Sequence, residues 1–397
     1  MTNDIRNARL SDLYEFQYGT GNTIENIGGD YPIYGSNGTV GYTNIYNSED
    51  APVIGHIGAY AGIVNWASGK HFVTYNGVIC KIKNGINPRY GYYSLLNSKL
   101  QKNLRGSTQP FISYDLLNDV KVYLPDRQDQ DKIASVLSAL DFKIDINNRI
   151  NKELEAMSKT IYDYWFVQFD FPDKKGKPYK SSGGKMVWND ELKREVPEGW
   201  EVNELRTLIE IQRGISYTSK DIEGDGVPMI NLNSFNLNGT YKAEGVKNYS
   251  GKYSEKNLIK NGDLLIAATD VTRNAEIIGK AILVPDYYTD SLVFSMDIAK
   301  ISSNHLPVSF LMMLFNSNHY HNYIKWFATG TLVLHLNLDG VNRYVSEIPP
   351  SSILRMFDEF YMPIANRIYN TARENNELSE LRDWLLPMLM NGQVTFN

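Results

Sequence analysis

The sequence has almost no cysteine, and it has no hydrophobic run long enough to cross a membrane. Cys80 is the single cysteine among 397 residues, so no intramolecular disulfide can form, and we interpret it as a small core residue of a protein in a reducing compartment. The apolar run at residues 310–315 is far shorter than the roughly 20 residues of a membrane span. Residues 1–10 contain charged side chains and lack the apolar core of a signal peptide. We therefore expect a cytoplasmic protein with no membrane partner.

Motifs for metal, nucleotide or nucleophilic chemistry are also missing. The six histidines form no His-Glu-x-x-His pair and no cluster with cysteine, and no Gly-x-x-x-x-Gly-Lys or Gly-x-Ser-x-Gly occurs. The segment Asn87-Pro88-Arg89-Tyr90 is similar to the Asn-Pro-Pro-Tyr of adenine methyltransferases, but arginine replaces a proline and no glycine-rich S-adenosylmethionine loop precedes it. We interpret it as the start of a helix. We expect a chain with no catalytic residue, no metal site and no cofactor of its own.

An excess of positive charge is lacking too, since the net charge is −5. Residues 1–124 hold 10 Lys and Arg against 9 Asp and Glu, and residues 201–346 hold 13 against 15. Residues 125–170 and 347–397 are more acidic, with 6 against 9 and 4 against 7. Phosphate contacts alone would give weak DNA affinity, so a DNA-binding role requires neutral base-reading groups or positive charge from a partner.

Neutral hydrogen-bonding side chains are abundant. The chain has 27 tyrosines and is dense in Asn, Ser, Thr and Gly. These residues can contact base edges. They are equally ordinary as the turn and strand residues of a β-rich fold, and composition alone leaves both interpretations open.

An internal repeat is the strongest pattern. At an offset of 224 residues, Gly106-Ser107 matches Gly330-Thr331, and Leu124-Pro125 matches Ile348-Pro349. The match continues without a gap through the four pairs Arg149 and Arg373, Asn151 and Asn375, Glu153 and Glu377, and Leu154 and Leu378. At an offset of 195, Leu10, Leu13, Glu15, Gln17 and Gly19 match Leu205, Leu208, Glu210, Gln212 and Gly214. The repeat predicts two modules, each followed by a copy of one segment.

Each repeated segment has the heptad pattern of a long helix. Apolar a and d positions lie at both ends, as at Ile133, Leu137, Phe357 and Tyr361, while the middle is polar, as at Asn147 and Asn375. Asp126 and either Ser351 or Ser352 are predicted N-caps, and Gly392 is a predicted stop. Helices of about 33 residues would extend roughly 50 Å. We expect the two copies to pair as an antiparallel coiled coil; the alternative is that they dimerise the protein with itself.

The fold class follows from these elements. We expect a mixed α/β chain in which two strand-rich globular modules are separated by the two long helices. Strands are predicted at residues 52–57, 72–82, 263–268 and 281–285, and shorter helices near residues 92–105 and 308–327. The segment 171–200 lacks periodicity and is rich in Lys, Gly and Ser, as expected of a connector.

The layout resembles the specificity subunit of Type I restriction-modification systems, the HsdS family, over nearly the whole chain. The residues that carry the resemblance are Gly106-Ser107-Thr108-Gln109, Leu124-Pro125, Asp131-Lys132-Ile133-Ala134, Asn147-Asn148-Arg149-Ile150, Phe169-Asp170-Phe171-Pro172, the connector from Lys177 to Val187, and Pro197-Glu198-Gly199-Trp200. Each signal is modest by itself, and their order within a duplicated frame makes them specific.

The resemblance implies a division of labour. Residues 1–124 and 201–346 would be target recognition domains that each read half of a split DNA site. Residues 125–170 and 347–397 would be spacer helices that dock two methyltransferase subunits, joined by the connector at 171–200. Those partners would bind S-adenosylmethionine and methylate adenine N6, and restriction subunits using ATP and Mg²⁺ would join them. This chain would act as a non-catalytic DNA-binding subunit.

Polar loop residues are the candidate base contacts. Asn and Gln can pair bidentately with adenine, and Arg with guanine. The candidates in the first module are Tyr34, Ser36, Asn37, His56, Tyr60, Thr108 and Gln109. Those in the second module are Asn231, Asn233, Ser234, Thr272, Arg273, Asn274 and His335. For each residue the alternative is a side chain that caps its own loop.

Two other functional classes stay open from the residues alone. One is a self-contained DNA modification enzyme, which would need nucleotide or S-adenosylmethionine motifs that the sequence lacks. The other is a structural or carbohydrate-binding repeat protein with a coiled-coil stalk.

Overall fold

The computed structural model describes residues 7–21, 26, 28–106, 109–272, 274–286, 288 and 291–394, with backbone alone at residues 7 and 103. The chain divides into two compact units. The first unit combines Met1–Asn147 with Glu374–Asn397, and the second is Asn148–Arg373. Two long helices, α4 (Arg127–Tyr162) and α8 (Ser351–Met390), contribute to both units.

The first unit is built on a six-stranded sheet in the order β2-β7-β5-β6-β3-β4. The strands of the whole unit are β1 (Asn7–Arg9), β2 (Tyr14–Tyr18), β3 (Tyr31–Gly35), β4 (Gly38–Thr43), β5 (Ser48–Gly55), β6 (Val64–Val73), β7 (Gly77–Ile82) and β8 (Lys121–Tyr123), of which β1 and β8 pair with each other outside the six-stranded sheet. Its shorter helices are α1 (Leu10–Leu13), α2 (Pro88–Asn97) and α3 (Tyr114–Asp119). The pairing of β3 with β6 is parallel, and the other neighbours in the sheet are antiparallel.

The second unit holds two four-stranded sheets, in the orders β12-β20-β16-β18 and β14-β13-β19-β15, and a small sheet β17-β22-β21. Its strands are β9 (Met186–Asn189), β10 (Arg194–Pro197), β11 (Glu201–Glu204), β12 (Glu210–Arg213), β13 (Val227–Ile230), β14 (Lys247–Tyr249), β15 (Leu258–Ile259), β16 (Leu264–Ala267), β17 (Thr269–Asp270), β18 (Ala281–Leu283), β19 (Leu292–Phe294), β20 (Ile298–Ser302), β21 (Ala328–Thr329), β22 (Leu334–Leu336) and β23 (Val345–Ile348). Its shorter helices are α5 (Val308–Phe315), α6 (Asn318–Ile324) and α7 (Asp339–Asn342).

The predicted strand over residues 72–82 is wrong as a single element. A turn at residues 74–76 separates β6 from β7, because the Gly77 N–H donates back to the Thr74 carbonyl. The predicted helix over residues 308–327 is likewise interrupted. Ser317 caps a new helix, α6, by accepting from the Tyr320 N–H at 3.2 Å.

The two units repeat the same strand connections, each within itself. In the first, β2 pairs with β7 so that Gln17 faces Ile79, and β3 runs parallel to β6. In the second, β12 pairs with β20 so that Gln212 faces Lys300, and β13 runs parallel to β19. The duplication seen in the sequence is therefore a duplication of topology.

A pair of matched glycines explains one part of the repeat. A Cβ on Gly19 would lie 2.1 Å from the Thr74 carbonyl oxygen, and a Cβ on Gly214 would lie 2.3 Å from that of Phe294. Both glycines follow the first strand of their sheet and pass against the end of the strand in the parallel pair. Only glycine allows this approach, since backbone carbonyls cannot move aside.

The long helices pair antiparallel within each unit. In the first unit the Asn147 side chain donates to Asn375 at 2.9 Å, and Asp141 accepts from Arg382 at 3.0 Å. Residues earlier in α4 therefore contact residues later in α8, as in an antiparallel pair. In the second unit Asn151 donates to the Ile368 carbonyl at 3.3 Å. Both long helices have the apolar ends and polar middle that the heptads predicted. Their apolar ends pack into the cores of the modules.

The helix ends agree in part with the predicted caps. The Asp126 carboxylate accepts from the Asp129 N–H at 3.0 Å, as expected of an N-cap. Ser351 and Ser352 are not the cap residues, because α8 already includes both of them. At the other end α8 stops at Met390, and Gly392 has a left-handed φ of 68°.

Both cores are apolar and closed by the helices. In the first unit Leu10, Leu13, Tyr90 and Leu117 pack with Leu137, all fully buried. Cys80 belongs to the same core, as predicted, and burial raises the pKa of its thiol. Across the residues described above, no helix is both long and apolar enough to span a membrane.

Candidate nucleic-acid interface

Four predicted residues of the first unit lie directly after strands: Ser36 and Asn37 follow β3, and His56 and Tyr60 follow β5. The Ser36 hydroxyl oxygen, just after β3, lies 2.9 Å from the Ile57 carbonyl oxygen and 2.7 Å from the Asn76 carbonyl oxygen, and its one proton can be donated to either. The Gly58 N–H donates to the Pro110 carbonyl at 2.8 Å. Four loops are therefore joined at one edge of the sheet.

His56 is held inside this edge. Its side chain is 5 % exposed, its Nδ1 lies 3.1 Å from the Tyr75 carbonyl oxygen, and its ring packs against Tyr18 at a centroid distance of 4.4 Å. The His56 backbone also bonds Asn76 and Ile112. Ser36 and His56 thus fix the shape of the loops, with their polar atoms used by the protein.

The remaining predicted residues of this unit differ in exposure. Asn37, Tyr60 and Gln109 are exposed, and Tyr60 keeps 46 % of its surface accessible. Tyr34 is half-buried, and its carbonyl accepts from the Thr74 N–H at 3.0 Å. Thr108 lies outside the described residues. The exposed candidates of this unit are therefore two amides and one tyrosine.

Sequence reasoning missed an aromatic cluster at the same edge. Tyr18 stacks on Tyr114 at 4.1 Å and packs at 6.3 Å from Tyr75, which is 46 % exposed. The signal available was weak: Tyr18 directly precedes the matched Gly19. An exposed tyrosine ring can stack on a base or sugar, and its hydroxyl can donate a hydrogen bond.

In the second unit, Asn231 and Ser234 are consumed by their own loop. Asn231 is 2 % exposed, accepts from the Asn233 N–H at 2.9 Å and donates to the Gly245 carbonyl at 2.7 Å. Ser234 is fully buried, and its hydroxyl oxygen lies 3.4 Å from the Asn231 N–H. Asn233 is the exposed member of this group. The first two hold the loop that presents the third.

A second loop follows β17 and is organised by Asp270, which prediction missed. The fully buried Asp270 carboxylate accepts from the N–H groups of Thr272 at 2.6 Å, Ile277 at 2.7 Å and Ile278 at 2.9 Å. The Thr272 hydroxyl accepts from the Glu276 N–H at 2.8 Å. A carboxylate holding three N–H groups in a buried position fixes the loop between them.

The exposed residues of this loop lie beside a strand pair. Asn274 is exposed, and Arg273 falls outside the described residues. His335 is exposed on β22, opposite Thr269 of β17. Thr272, Asn274 and His335 therefore share one neighbourhood, and the hydrogen bonds of the described residues do not link it to the Asn231 loop.

Large apolar side chains are exposed around the second loop. Val271 is 62 % exposed, Trp326 87 % and Leu332 89 %. No sequence pattern identified these three residues, because an apolar residue at the surface cannot be distinguished in the sequence from one in the core. Side chains of this kind can pack against sugars or thymine methyl groups.

The methyltransferase-like motif is a helix start, as interpreted. The Asn87 side chain accepts from the N–H groups of Arg89 at 2.9 Å and Tyr90 at 3.0 Å, and so caps α2. Tyr90 is buried, and its hydroxyl donates to the Tyr123 carbonyl. Within the described ranges, no group of three or more His, Cys, Asp or Glu side chains could hold a metal ion.

Comparison with known proteins gives one family. A family model described as the Type I restriction modification DNA specificity domain matches residues 3–156. The chain is 28 % identical to the Type I restriction enzyme MjaIX specificity subunit of Methanocaldococcus jannaschii, over 79 % of this chain and 70 % of that protein. It is 24 % identical to the Type I restriction enzyme HindI specificity subunit of Haemophilus influenzae, over 75 % of this chain and 74 % of that one.

A solved structure shares the fold. The Type I restriction-modification S subunit from M. genitalium superposes with a TM-score of 0.64 at 13 % identity, covering 98 % of this chain and 97 % of that chain. The mixed α/β architecture with two long helices is therefore found in an experimentally determined protein.

Proposed function

Because this chain belongs to the family of Type I restriction-modification specificity subunits, we propose that it reads a split, asymmetric DNA target with two different recognition domains. As a member of that family it is a non-catalytic DNA-recognition subunit. Methylation and cleavage are the work of other subunits. The finer assignments below are ours.

One observation carries the proposal. The two units share their frame, down to the matched glycines Gly19 and Gly214 and the parallel strand pair. They differ in the exposed polar residues that they present: Gln109 and Tyr60 in loops of the first unit, and Asn274 in the loop after β17 and His335 on β22 in the second. A common scaffold with different loops suits the reading of two unlike half-sites.

The functional division of the chain is proposed as 1–124 and 201–346 for the recognition domains, 125–170 and 347–397 for the spacer helices, and 171–200 for the connector. Half-sites roughly 34–36 Å apart present one face of the duplex. A helix such as α4, with 36 residues, is long enough at roughly 1.5 Å per residue to set that separation.

The partners follow from the same role. Two methyltransferase subunits, carrying S-adenosylmethionine, would methylate adenine N6 in each half-site, and restriction subunits using ATP and Mg²⁺ would join the complex. We propose that duplex DNA is the ligand of this chain and that the cytoplasm is its compartment. The acidic balance of this chain fits partners that supply the phosphate contacts.

The proposed base contacts are the exposed candidates. These are Asn37, Tyr60, Gln109, Asn233, Asn274 and His335, and their exposure supports the assignment. We assign Ser36, Asn231, Ser234 and Thr272 to positioning, because their side-chain polar atoms are bonded within the loops. We add His56, because its ring is buried with Nδ1 beside the Tyr75 carbonyl, and Tyr34, because it is half-buried and its backbone carbonyl accepts from the Thr74 N–H. Thr108 and Arg273 stay proposals from sequence alone.

The experiment is a map of methylated adenines across a genome, in cells expressing this chain with its methyltransferase subunits. The expected result is one motif of two unlike half-sites with a fixed gap. Arg273→Ala should relax one base position of one half-site, whereas Gln109→Ala should affect the other half-site. A single short continuous motif, or methylation by the purified chain without partners, would refute the proposal.

A further inference from the structure

A cavity of about 340 Å³ in the second unit is lined by both long helices, by α5 and by the loop at residues 238–241. Its walls are mainly apolar and aromatic, with Met312, Met313, Tyr361 and Tyr369 among them. Two polar groups contributed by α4 also line it, the carboxylate of Glu155 and the hydroxyl of Ser158. An apolar cavity with a small number of polar groups has the composition of a binding site.

Those two polar groups are unusual for a helix surface. Ser158 is 3 % exposed, and its hydroxyl has no hydrogen-bond partner among the described residues. Glu155 accepts from the Asn238 side chain at 3.1 Å, and burial raises the pKa of its carboxyl group. Desolvated polar groups of this kind are costly unless something bonds them.

Two lysines complete the charges at the cavity. Lys152 and Lys159 line it but are exposed, and Lys159 pairs with Asp163 at 2.5 Å. Glu155 is therefore the acidic side chain lining the cavity, and both cations lie toward solvent.

The internal repeat supplies an independent comparison. At the offset of 224, Ser158 corresponds to Arg382, and Ala365 of the cavity wall corresponds to Asp141. In the first unit the Arg382 guanidinium donates to Asp141 at 3.0 Å, with the two side chains 28 % and 23 % exposed. Tyr93 of α2 donates to the same carboxylate at 2.6 Å. The equivalent place in the first unit is thus filled by a guanidinium paired with a carboxylate that also accepts from a tyrosine.

The second unit lacks both the arginine and the acid at the corresponding positions. Ser158 and Ala365 are smaller than their counterparts, which accounts for the space between the helices. Glu155 supplies a carboxylate one helical turn from Ser158, and Tyr361 and Tyr369 contribute aromatic rings to the wall. Carboxylate and aromatic rings together are the groups that bind guanidinium in proteins.

We propose that this cavity receives the guanidinium group of an arginine side chain from the methyltransferase partner, in the place that Arg382 takes in the first unit. The assignment to that partner rests on the proposed function, in which the long helices dock methyltransferase subunits. A protein side chain is the fitting source, because the group found at the equivalent place is a side chain lying on the same helix pair.

The chemistry can be tested on the full chain alone. With methionine methyl groups labelled, n-propylguanidinium should shift the NMR signals of Met312 and Met313 saturably, whereas n-butanol at the same concentration should not. Glu155→Gln should weaken the response. Equal shifts with the neutral probe, or none with guanidinium, would overturn the proposed ligand class.

The partner is tested by filling the cavity from within. Ser158→Arg together with Ala365→Asp recreates the arginine and acid of the first unit, and Ser219→Arg, at an exposed position of the second unit outside the cavity lining, is the control. The double variant should abolish the probe response and lower affinity for the methyltransferase subunit by about tenfold, as for loss of an anchor residue. The control should stay within about twofold of the unchanged chain.

The outcomes separate the two claims. Normal methyltransferase affinity in the folded double variant would overturn the partner assignment, even if the probe binds the original chain. Failure of the unmodified chain to bind methyltransferase subunits at all would instead refute the proposed function. A melting temperature no lower than that of the original chain shows that the double variant is folded.

Discussion

Asp270→Asn tests whether a buried carboxylate fixes the loop that follows β17 in the second unit. The change keeps one side-chain oxygen and replaces the other with an NH₂ group. That group cannot accept from a backbone N–H. The oxygen Oδ1 bonds Thr272, and Oδ2 bonds Ile277 and Ile278, so the variant can satisfy one side of this arrangement only.

The cost can be worked from those contacts. The amide can turn its oxygen toward the Ile277 and Ile278 N–H groups, which leaves the Thr272 N–H facing the NH₂ group without an acceptor, and such a loss costs about 1–3 kcal/mol. We therefore expect the free energy of unfolding to fall by roughly 2 kcal/mol. A domain with a stability of about 5–15 kcal/mol would remain folded after that loss.

Two assays report the consequence. Denaturant unfolding should give the lower stability, and methylated-adenine mapping with the partner subunits should show relaxed preference in one half-site and none in the other. Asp225→Asn, at an exposed position of the same unit, is the control and should leave both measurements unchanged. Unaltered stability in Asp270→Asn, or equal relaxation of both half-sites, would refute the reasoning.

Three further predictions follow from single contacts. Gly19→Ala should destabilise the first unit by about 2 kcal/mol or more in denaturant unfolding, because the new Cβ lies 2.1 Å from a strand carbonyl; Gly35→Ala, which meets only a side chain at 3.2 Å, should cost visibly less, and equal losses would contradict the explanation. A double-mutant cycle of Arg382→Ala and Asp141→Ala should give a coupling energy of about 1 kcal/mol, and a value of zero would mean that the pair is incidental. Burial and two nearby lysines lower the pKa of His321 from 6.5 to about 4. As the pH is lowered, the His321 side chain therefore takes up its proton in the unfolded state before it does so in the folded state. The free energy of unfolding should fall by roughly 1–2 kcal/mol as the pH decreases from 6.5 to about 4, after allowance for partial exposure; in denaturant unfolding, His321→Gln should lose this dependence.

The overall plan was readable from the sequence because it depends on repetition and periodicity. The match of Gly106 with Gly330 and of Leu154 with Leu378 needs no coordinates. Apolar heptads at Ile133 and Phe357 predict helices whose stripes must be covered, and the nearest cover is the other copy. Patterns of this kind depend on neighbouring residues of the sequence and not on the rest of the fold. The long helices and their antiparallel pairing were therefore predicted correctly.

Strand ends and helix breaks were less accessible. The turn that separates β6 from β7 lies inside an apolar run, and its Asn76-Gly77 pair is a turn signal that the predicted strand over residues 72–82 overlooked. The fold also holds this turn from outside, through the contact of the His56 ring with the Tyr75 carbonyl. A contact between residues 19 positions apart leaves no signature in either local sequence.

The sequence by itself determined the duplication, the helical spacer segments and the kind of side chain available for reading DNA. The tertiary structure decided which of those side chains are free to do so. Ser36 and Asn231 are neutral hydrogen-bonding residues like their near neighbours Asn37 and Asn233, yet the first pair is bonded to carbonyls of distant loops while the second pair is exposed. The physical reason is that hydrogen-bonding capacity belongs to a residue, whereas its availability depends on which backbone groups the closed fold brings beside it.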